Sequence, residues 1–218
     1  NLWKMFAVWA TLKGIELPDW KYFENTPVRR IKGRFDEQQD IRKIKESIPD
    51  WMDEMAVKEI GEKVWSTEIA SMNQKAEVIL RVNTLKIDIS TLQKFLKKEE
   101  VDTETVRDHP TALRLVERKN VFLTEAFKRG YFEVQDASSQ LVAPFLEVKP
   151  GMRVIDTCAG AGGKTLHLAA MMENKGQIIA LDIYAGKLAQ LKKRAKRAGA
   201  HNIEMRPIEN TKVIKKLK

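Results

Sequence analysis

The sequence predicts an α/β protein in which a helical N-terminal region and a small α+β unit precede the start of a parallel sheet covered by helices. Strand-like and helix-like stretches alternate from about Gly130 onward, two apolar strands each close on an aspartate (Asp156 and Asp182), and a glycine-rich turn follows the first of them. With 218 residues, 43% hydrophobic and 32% charged, the chain has apolar surface for one large domain or two small ones, which excludes disorder over its length.

Residues 1–75 read as helices broken at Pro18, Pro27, Gly33 and Pro49. Ile41, Ile44 and Ile48 repeat at helical spacing, as do Met52, Met55, Ala56 and Ile60 and then Val64, Trp65 and Ile69, so core faces are expected there. Trp3, Trp9 and Trp20 are read as core rather than as a base-stacking surface, and Arg29, Arg30, Lys32 and Arg34 as a small basic loop beside them. Next, 77–83 (EVILRVN) has the apolar content of a strand, Ser90 can cap a helix through Leu92, Phe95 and Leu96, and strand-like pieces follow at 103–107 and 112–123.

The third part is expected to run as a helix at 136–146, a strand at 152–156, a helix from 163, a strand at 177–182 and a helix at 184–198. Asp136 with the Ser138-Ser139 pair caps the first helix and leaves Gln135 to bond across the cleft, while Pro150-Gly151 marks the turn before the first core strand. Along the last helix Tyr184, Leu188, Leu191, Ala195 and Ala198 form an apolar stripe ending at Gly199, which leaves Lys192, Lys193, Arg194, Lys196 and Arg197 for solvent. The boundaries drawn are 1–48, 49–129 and 130–218.

The net charge of +9 lies entirely at the C-terminal end: 186–218 holds 11 Lys plus Arg against 2 acids, and the other 185 residues balance at 28 of each sign. Either a polyanion such as RNA is drawn to this charge or it is a solvated helix face. No apolar stretch approaches the roughly 20 residues of a membrane span, and the run from Asn1 to Ala10 is interrupted by Lys4 with no cleavage pattern after it. A soluble, cytoplasmic, monomeric protein with no membrane partner is expected. Cys158, the single cysteine, excludes an internal disulfide and a cysteine-based zinc cage, and His109, His167 and His201 are too scattered for a histidine metal site.

The strongest local signal is Val154-Ile155-Asp156-Thr157-Cys158-Ala159-Gly160-Ala161-Gly162-Gly163-Lys164-Thr165, a strand running into a turn that opens a helix. Cys158 stands where a phosphate-binding loop needs its first glycine, and Lys164-Thr165 stand where the dinucleotide fingerprint wants its third. A small-residue turn between two strand-closing acids does fit an adenosine-type ligand. In a parallel sheet both strand ends open into one crevice, so Asp182 is placed to accept from ribose hydroxyls while Gly160 to Gly163 meet the rest.

Phe132-Glu133-Val134-Gln135-Asp136-Ala137-Ser138-Ser139-Gln140, followed by the Asp156 to Thr165 segment, resembles the Nop/Sun (RsmB-like) family of S-adenosylmethionine-dependent RNA cytosine-5 methyltransferases. Arg81-Val82-Asn83-Thr84-Leu85-Lys86 is similar to the strand near the start of that family's small RNA-recognition-like domain, and the resemblance runs from about Pro49 to Asn210. It implies a partial Rossmann-like class I methyltransferase core behind that domain, with residues 1–48 as an extension. It further implies S-adenosyl-L-methionine as cofactor, held by Cys158, Ala159, Gly160, Ala161, Gly162, Gly163 and Lys164, with Asp182 on the ribose and Glu209 near the adenine. The chain departs from the family at Gly160 and Ala161, where alanine and proline are usual.

The resemblance implies ribosomal RNA as partner and methylation of cytosine C5 by the whole enzyme. The family's two cysteines, one adding to C6 and one assisting loss of the C5 proton, lie downstream of the third core strand, so the nucleophile is expected past Lys218 and no catalytic residue is assigned within the chain. RNA contacts are expected at Arg29, Arg30, Lys32, Arg34 and Lys86. Two other readings stand beside this one: a non-catalytic RNA-binding protein retaining the cofactor pocket, and, disfavoured by Cys158 at the loop's first position, a nucleotide hydrolase.

Overall fold

The computed structural model describes residues 1–210, which form two compact units, 1–75 and 76–210. The first is helical: α1 (Leu2–Leu12), α2 (Val28–Gln38), α3 (Arg42–Lys45), α4 (Asp50–Ile60) and α5 (Glu62–Met72). The basic segment expected as a loop is helical. Pro27, with its fixed φ, precedes a run of helix-compatible residues with Ile31 and Phe35 one turn apart, and α2 leaves Arg29, Arg30, Lys32 and Arg34 exposed.

The core expected in this unit is only partly formed. Trp65 and Ile69 are buried, but Ile41, Ile44, Met55, Ile60 and Val64 are not. Trp3 packs edge-on to Trp20 and stacks on Tyr22, yet all three remain substantially exposed, and of this aromatic group only Phe23 is buried. Helices of 4–11 residues in a 75-residue unit have few faces to cover one another. A polar hub compensates: the Arg42 guanidinium donates twice to Asp53 (2.9 and 3.0 Å) and once to Glu62 (3.0 Å), and Trp65 Nε1 donates to the same Asp53 (2.7 Å), tying α3, α4 and α5 together.

The second unit opens with β1 (Ile79–Val82), α6 (Ile89–Lys98), β2 (Thr103–Val106), β3 (His109–Leu115), a 3-10 turn at Val121–Leu123, α7 (Glu125–Lys128) and β4 (Phe132–Val134). The sheet order β2-β3-β1-β4, antiparallel throughout, is that of a split βαβ, ferredoxin-like unit. Leu80, Val82, Leu92, Leu96, Leu113 and Phe132 fill its core. Asp88 rather than Ser90 caps α6: its carboxylate accepts from Thr91 N (2.9 Å), Thr91 Oγ1 (2.6 Å) and Ser90 Oγ (2.7 Å), and a negative charge is the better partner for a helix N-terminus. The strand expected over 112–123 stops at Leu115, and Asn120 turns the chain by accepting from Phe122 N.

Beyond β4 come α8 (Ala137–Gln140), α9 (Val142–Phe145), β5 (Arg153–Asp156), α10 (Gly163–Met171), β6 (Gln177–Asp182), α11 (Ala185–Ala198) and β7 (Ile203–Pro207). The single helix expected at 136–146 is broken in two because Pro144 has no N–H to give the Gln140 carbonyl and its ring crowds that position. The strands β5-β6-β7 are parallel and in sequence order. Ile178 and Ala180 join Leu166, Leu168, Leu188, Leu191 and Ala195 in the core under α10 and α11, whereas the alternate residues Ile179 and Leu181 pack with Ile208. Tyr184 is not in the apolar stripe of α11. It is the exposed, extended residue before the first turn.

His167 on α10 is buried, and its Nδ1 has no hydrogen-bond partner among the described residues. Burial, and secondly the charge of Arg81, push its imidazole from 6.5 down to about 4. The unfolded chain therefore binds the extra proton between those values. Stability contributed at pH 7 should fall by about 2–3 kcal/mol as pH drops from 6.5 toward 4, and not change above 6.5. Urea unfolding of wild type and His167→Gln at pH 7.5 and 4.5 checks this: the difference between the two pH values should shrink in the variant, and an equal difference would refute it.

Candidate functional site

The three parallel strands deliver their C-terminal ends to one place. Asp156, closing β5, accepts from Cys158 N (3.2 Å) through Oδ1 and from Thr165 Oγ1 (2.7 Å) through Oδ2, so one carboxylate holds both sides of the glycine-rich turn. Ala159 is buried, and its N–H donates to Leu181 O of β6 (2.9 Å). Gly162 N donates back to Ala159 O (2.8 Å), which closes the turn.

Gly162 is the residue before α10, at φ +90°, and a Cβ on it would lie 2.1 Å from Leu191 Cδ1. The positive φ favours glycine there, and a side chain would also have to displace the Leu191 methyl of α11. Asp182 reaches the turn from the end of β6: its Oδ2 accepts from Gly160 N and its Oδ1 from Tyr184 N, each at 2.8 Å. Those two backbone donors, Tyr184 foremost, hold the Asp182 carboxyl below the usual carboxylate range, so it is ionised at neutral pH. Cys158 and Lys164 are exposed at the turn. Glu209 is exposed as well, next to Ile208, whose N–H donates to Asp182 O (2.9 Å).

The residues expected to meet RNA are divided between the two units. Arg29, Arg30, Lys32 and Arg34 belong to α2 of the first unit. Lys86, in the second, donates from Nζ to Arg129 O (2.7 Å) and Arg197 O (2.6 Å), and so ties the small sheet's loops to the end of α11.

A second correction concerns α11. Arg194 and Arg197, expected in solvent, turn inward to Glu133 of β4: Arg194 Nη2 and Nε meet Oε2 (2.8 and 3.2 Å) and Arg197 Nη2 meets Oε1 (2.5 Å). Glu133 is buried, and its partner across the β1–β4 ladder is the equally buried Arg81. Arg81 Nη1 donates to Gln135 Oε1 and to Gly163 O (2.5 Å), and Arg194 Nη1 donates to Ala161 O (2.8 Å). Gln135, expected to bond across the cleft, instead bonds to Arg81 on the neighbouring strand β1 and to Ser139 O (3.3 Å), because pairing of β1 with β4 brings Arg81 beside it. Two lone charges inside apolar strands, Arg81 in 78–83 and Glu133 in 132–134, were the available sequence signals for this network.

Residues 48–122 match the family model described as Methyltr_RsmF/B-like, ferredoxin-like domain, and residues 143–217 the one described as 16S rRNA methyltransferase RsmB/F. Ribosomal RNA small subunit methyltransferase B of Proteus mirabilis is 32% identical over 153 residues, 70% of this chain and 36% of that protein. The 25S rRNA (cytosine-C(5))-methyltransferase NSUN5 of Arabidopsis thaliana is 35% identical over 128 residues, 58% of this chain and 22% of its own. The solved structure of a methyltransferase homologue from Pyrococcus horikoshii superposes with a TM-score of 0.73 at 28% identity, covering 81% of this chain and 57% of that one. The chain spans about a third of the Proteus relative's length.

Proposed function

The chain belongs to the Nop/Sun, or RsmB/F-like, methyltransferase family, and from that premise we propose that its glycine-rich turn binds S-adenosyl-L-methionine and that the whole protein methylates cytosine C5 in structured ribosomal RNA. The contact between Gly160 and Asp182 at converging strand ends supports this reading most directly. Each Asp182 oxygen holds one backbone N–H and retains acceptor capacity, which suits the two hydroxyls of a ribose. The small residues from Ala159 to Gly163 leave the turn's backbone approachable.

In this proposal Cys158, Ala159, Gly160, Ala161, Gly162, Gly163 and Lys164 surround the methionine and ribose portions, Asp182 binds the ribose and Glu209 lies toward the adenine. The bound cofactor supplies an electrophilic methyl group, and the chain's residues bind and orient it. Residues 1–48 are an extension, 49–129 together with β4, the strand that pairs with β1, the RNA-recognition-like domain, and the residues after β4 the cofactor-binding half, so the boundary expected at 129/130 moves past β4. Titration calorimetry is expected to give binding of S-adenosylmethionine or its demethylated product in preference to ATP with magnesium or NAD. Asp182→Ala should weaken it by roughly 1.5–3 kcal/mol, the worth of a hydrogen bond to a charged group. Tighter ATP binding would reject the cofactor assignment, and an unchanged Asp182→Ala affinity would move the ribose elsewhere.

RNA is proposed to be drawn to the exposed charges of α2, Arg29, Arg30, Lys32 and Arg34, with Lys86 adding its charge. With RNA containing 5-fluorocytidine, the 218-residue chain should bind with steep salt dependence, and charge reversal at Arg29 and Arg30 should flatten the log-log slope by about 0.7 for each phosphate that is no longer neutralised. No covalent adduct is expected, since Cys158 is the chain's only thiol and it faces the cofactor in this reading. An adduct abolished by Cys158→Ser would make Cys158 the nucleophile instead.

A further inference from the structure

Besides Asp156, three side chains hold the glycine-rich turn, and two of them are not at the ends of the parallel strands. Asp182 takes the Gly160 N–H, Arg194 holds the Ala161 carbonyl from α11, and Arg81 holds the Gly163 carbonyl from β1. A peptide unit is planar and trans, so fixing a carbonyl oxygen also fixes the direction of the next residue's N–H. The hold on Ala161 O therefore orients Gly162 N–H, and the hold on Gly163 O orients Lys164 N–H.

The Arg194 guanidinium has no freedom to choose that target. Two of its N–H groups, Nε and Nη2, lie on one oxygen of the buried Glu133, which fixes the plane of the fork and aims Nη1 at Ala161. One turn later on the same helix, Arg197 binds the other oxygen of Glu133 but takes its remaining contact from the Phe127 ring, 3.8 Å away, and makes no bond to the turn. Two arginines thus share one carboxylate, and only one of them reaches the turn.

We infer that Arg194 is a positioning residue for the glycine-rich turn, presenting the Ala161–Gly162 peptide in a fixed orientation under the control of Glu133 in the small sheet. This rests on the reading of the turn as the S-adenosylmethionine site and extends it. The small domain, through Glu133, sets the geometry of the cofactor loop, and cofactor affinity depends on a residue that does not touch the cofactor.

The test compares Arg194→Met with Arg197→Met in the 218-residue chain. Each keeps an apolar stem and takes one guanidinium from Glu133, so both should lower the unfolding midpoint. Only Arg194→Met should weaken S-adenosylmethionine binding, by about tenfold, and only it should speed hydrogen exchange of the Gly162 amide. Arg194→Lys, which keeps a charge beside Glu133 but cannot span to Ala161 O, should fold and show the same weakening. Equal effects of the two methionine variants on affinity and exchange, or full affinity in Arg194→Lys, would overturn the inference. If the wild-type chain itself binds no S-adenosylmethionine, the cofactor reading has failed, and exchange at Gly162 alone decides this one: faster in Arg194→Met sustains it, equal in both variants overturns it.

Discussion

Replacing Glu133 with alanine is expected to cost the second unit about 3–5 kcal/mol, the range for removing one partner of a buried ionic group. The carboxylate is 4% exposed and accepts from both Arg194 and Arg197, so its loss strands two guanidiniums that are themselves three-quarters buried. It also strands a third. Arg81 is 3% exposed, burial pushes its guanidinium down to about 10, and the Glu133 charge across the ladder is what opposes that shift. At about 2–4 °C for each kcal/mol in a chain of this size, the midpoint should fall by roughly 6–20 °C. An exposed pair such as Lys175–Glu173 gives the contrast, since its removal should cost less than about 1 kcal/mol. A Glu133→Ala loss as small as that one would mean the network is not a structural centre.

Gly130→Ala should be at least as damaging, about 4 kcal/mol or more, because no side-chain movement can relieve it. Gly130 has φ +70°, and a Cβ would lie 2.1 Å from Arg197 O and 2.7 Å from Arg197 C, both backbone atoms in the last turn of α11. Relief requires the end of that helix to move away. It is the end held by Asn83 Nδ2, which donates to Gly130 O (2.7 Å) and Ala198 O (2.8 Å), and by Lys86 on Arg197 O. Gly186→Ala, at the other end of α11 with open space around it, should instead stabilise by up to about 1 kcal/mol from helix propensity alone. Chemical denaturation of the two variants should therefore give changes of opposite sign, and a mild loss for Gly130→Ala would show that the small sheet and α11 are not held in this way.

Much of the second unit was legible because its signals are local. The runs 152–156 and 177–182 are apolar and short, each ends on an aspartate, and the intervening turn is built of small residues, so β5, β6 and α10 follow from neighbours in the chain, whereas the Gly160–Asp182 hydrogen bond emerges only with the fold. Local competition caused the small errors. Asp88 and Ser90 both suit a helix cap, and only the folded geometry shows the carboxylate reaching Thr91 N, just as Pro144 breaks a helix that its flanking residues favour.

Between 150 and 199 the order of strands and helices, the glycine-rich turn and the acid that closes the second strand could be read from the chain, because period, caps and turn residues act within a few positions; the three-residue β4 could not. The fate of the charges could not, and it emerged only with the fold. Arg194 and Arg197 occupy positions on α11 that read as solvent-facing, and Lys86 reads as a free cation, yet each is bound to a group many residues away, Glu133 lying 61 and 64 positions before the two arginines. A charged side chain goes to water or to the interior according to whether a partner offsets its desolvation. That partner is supplied by the packing of the small sheet against α11, which no local pattern in the chain records.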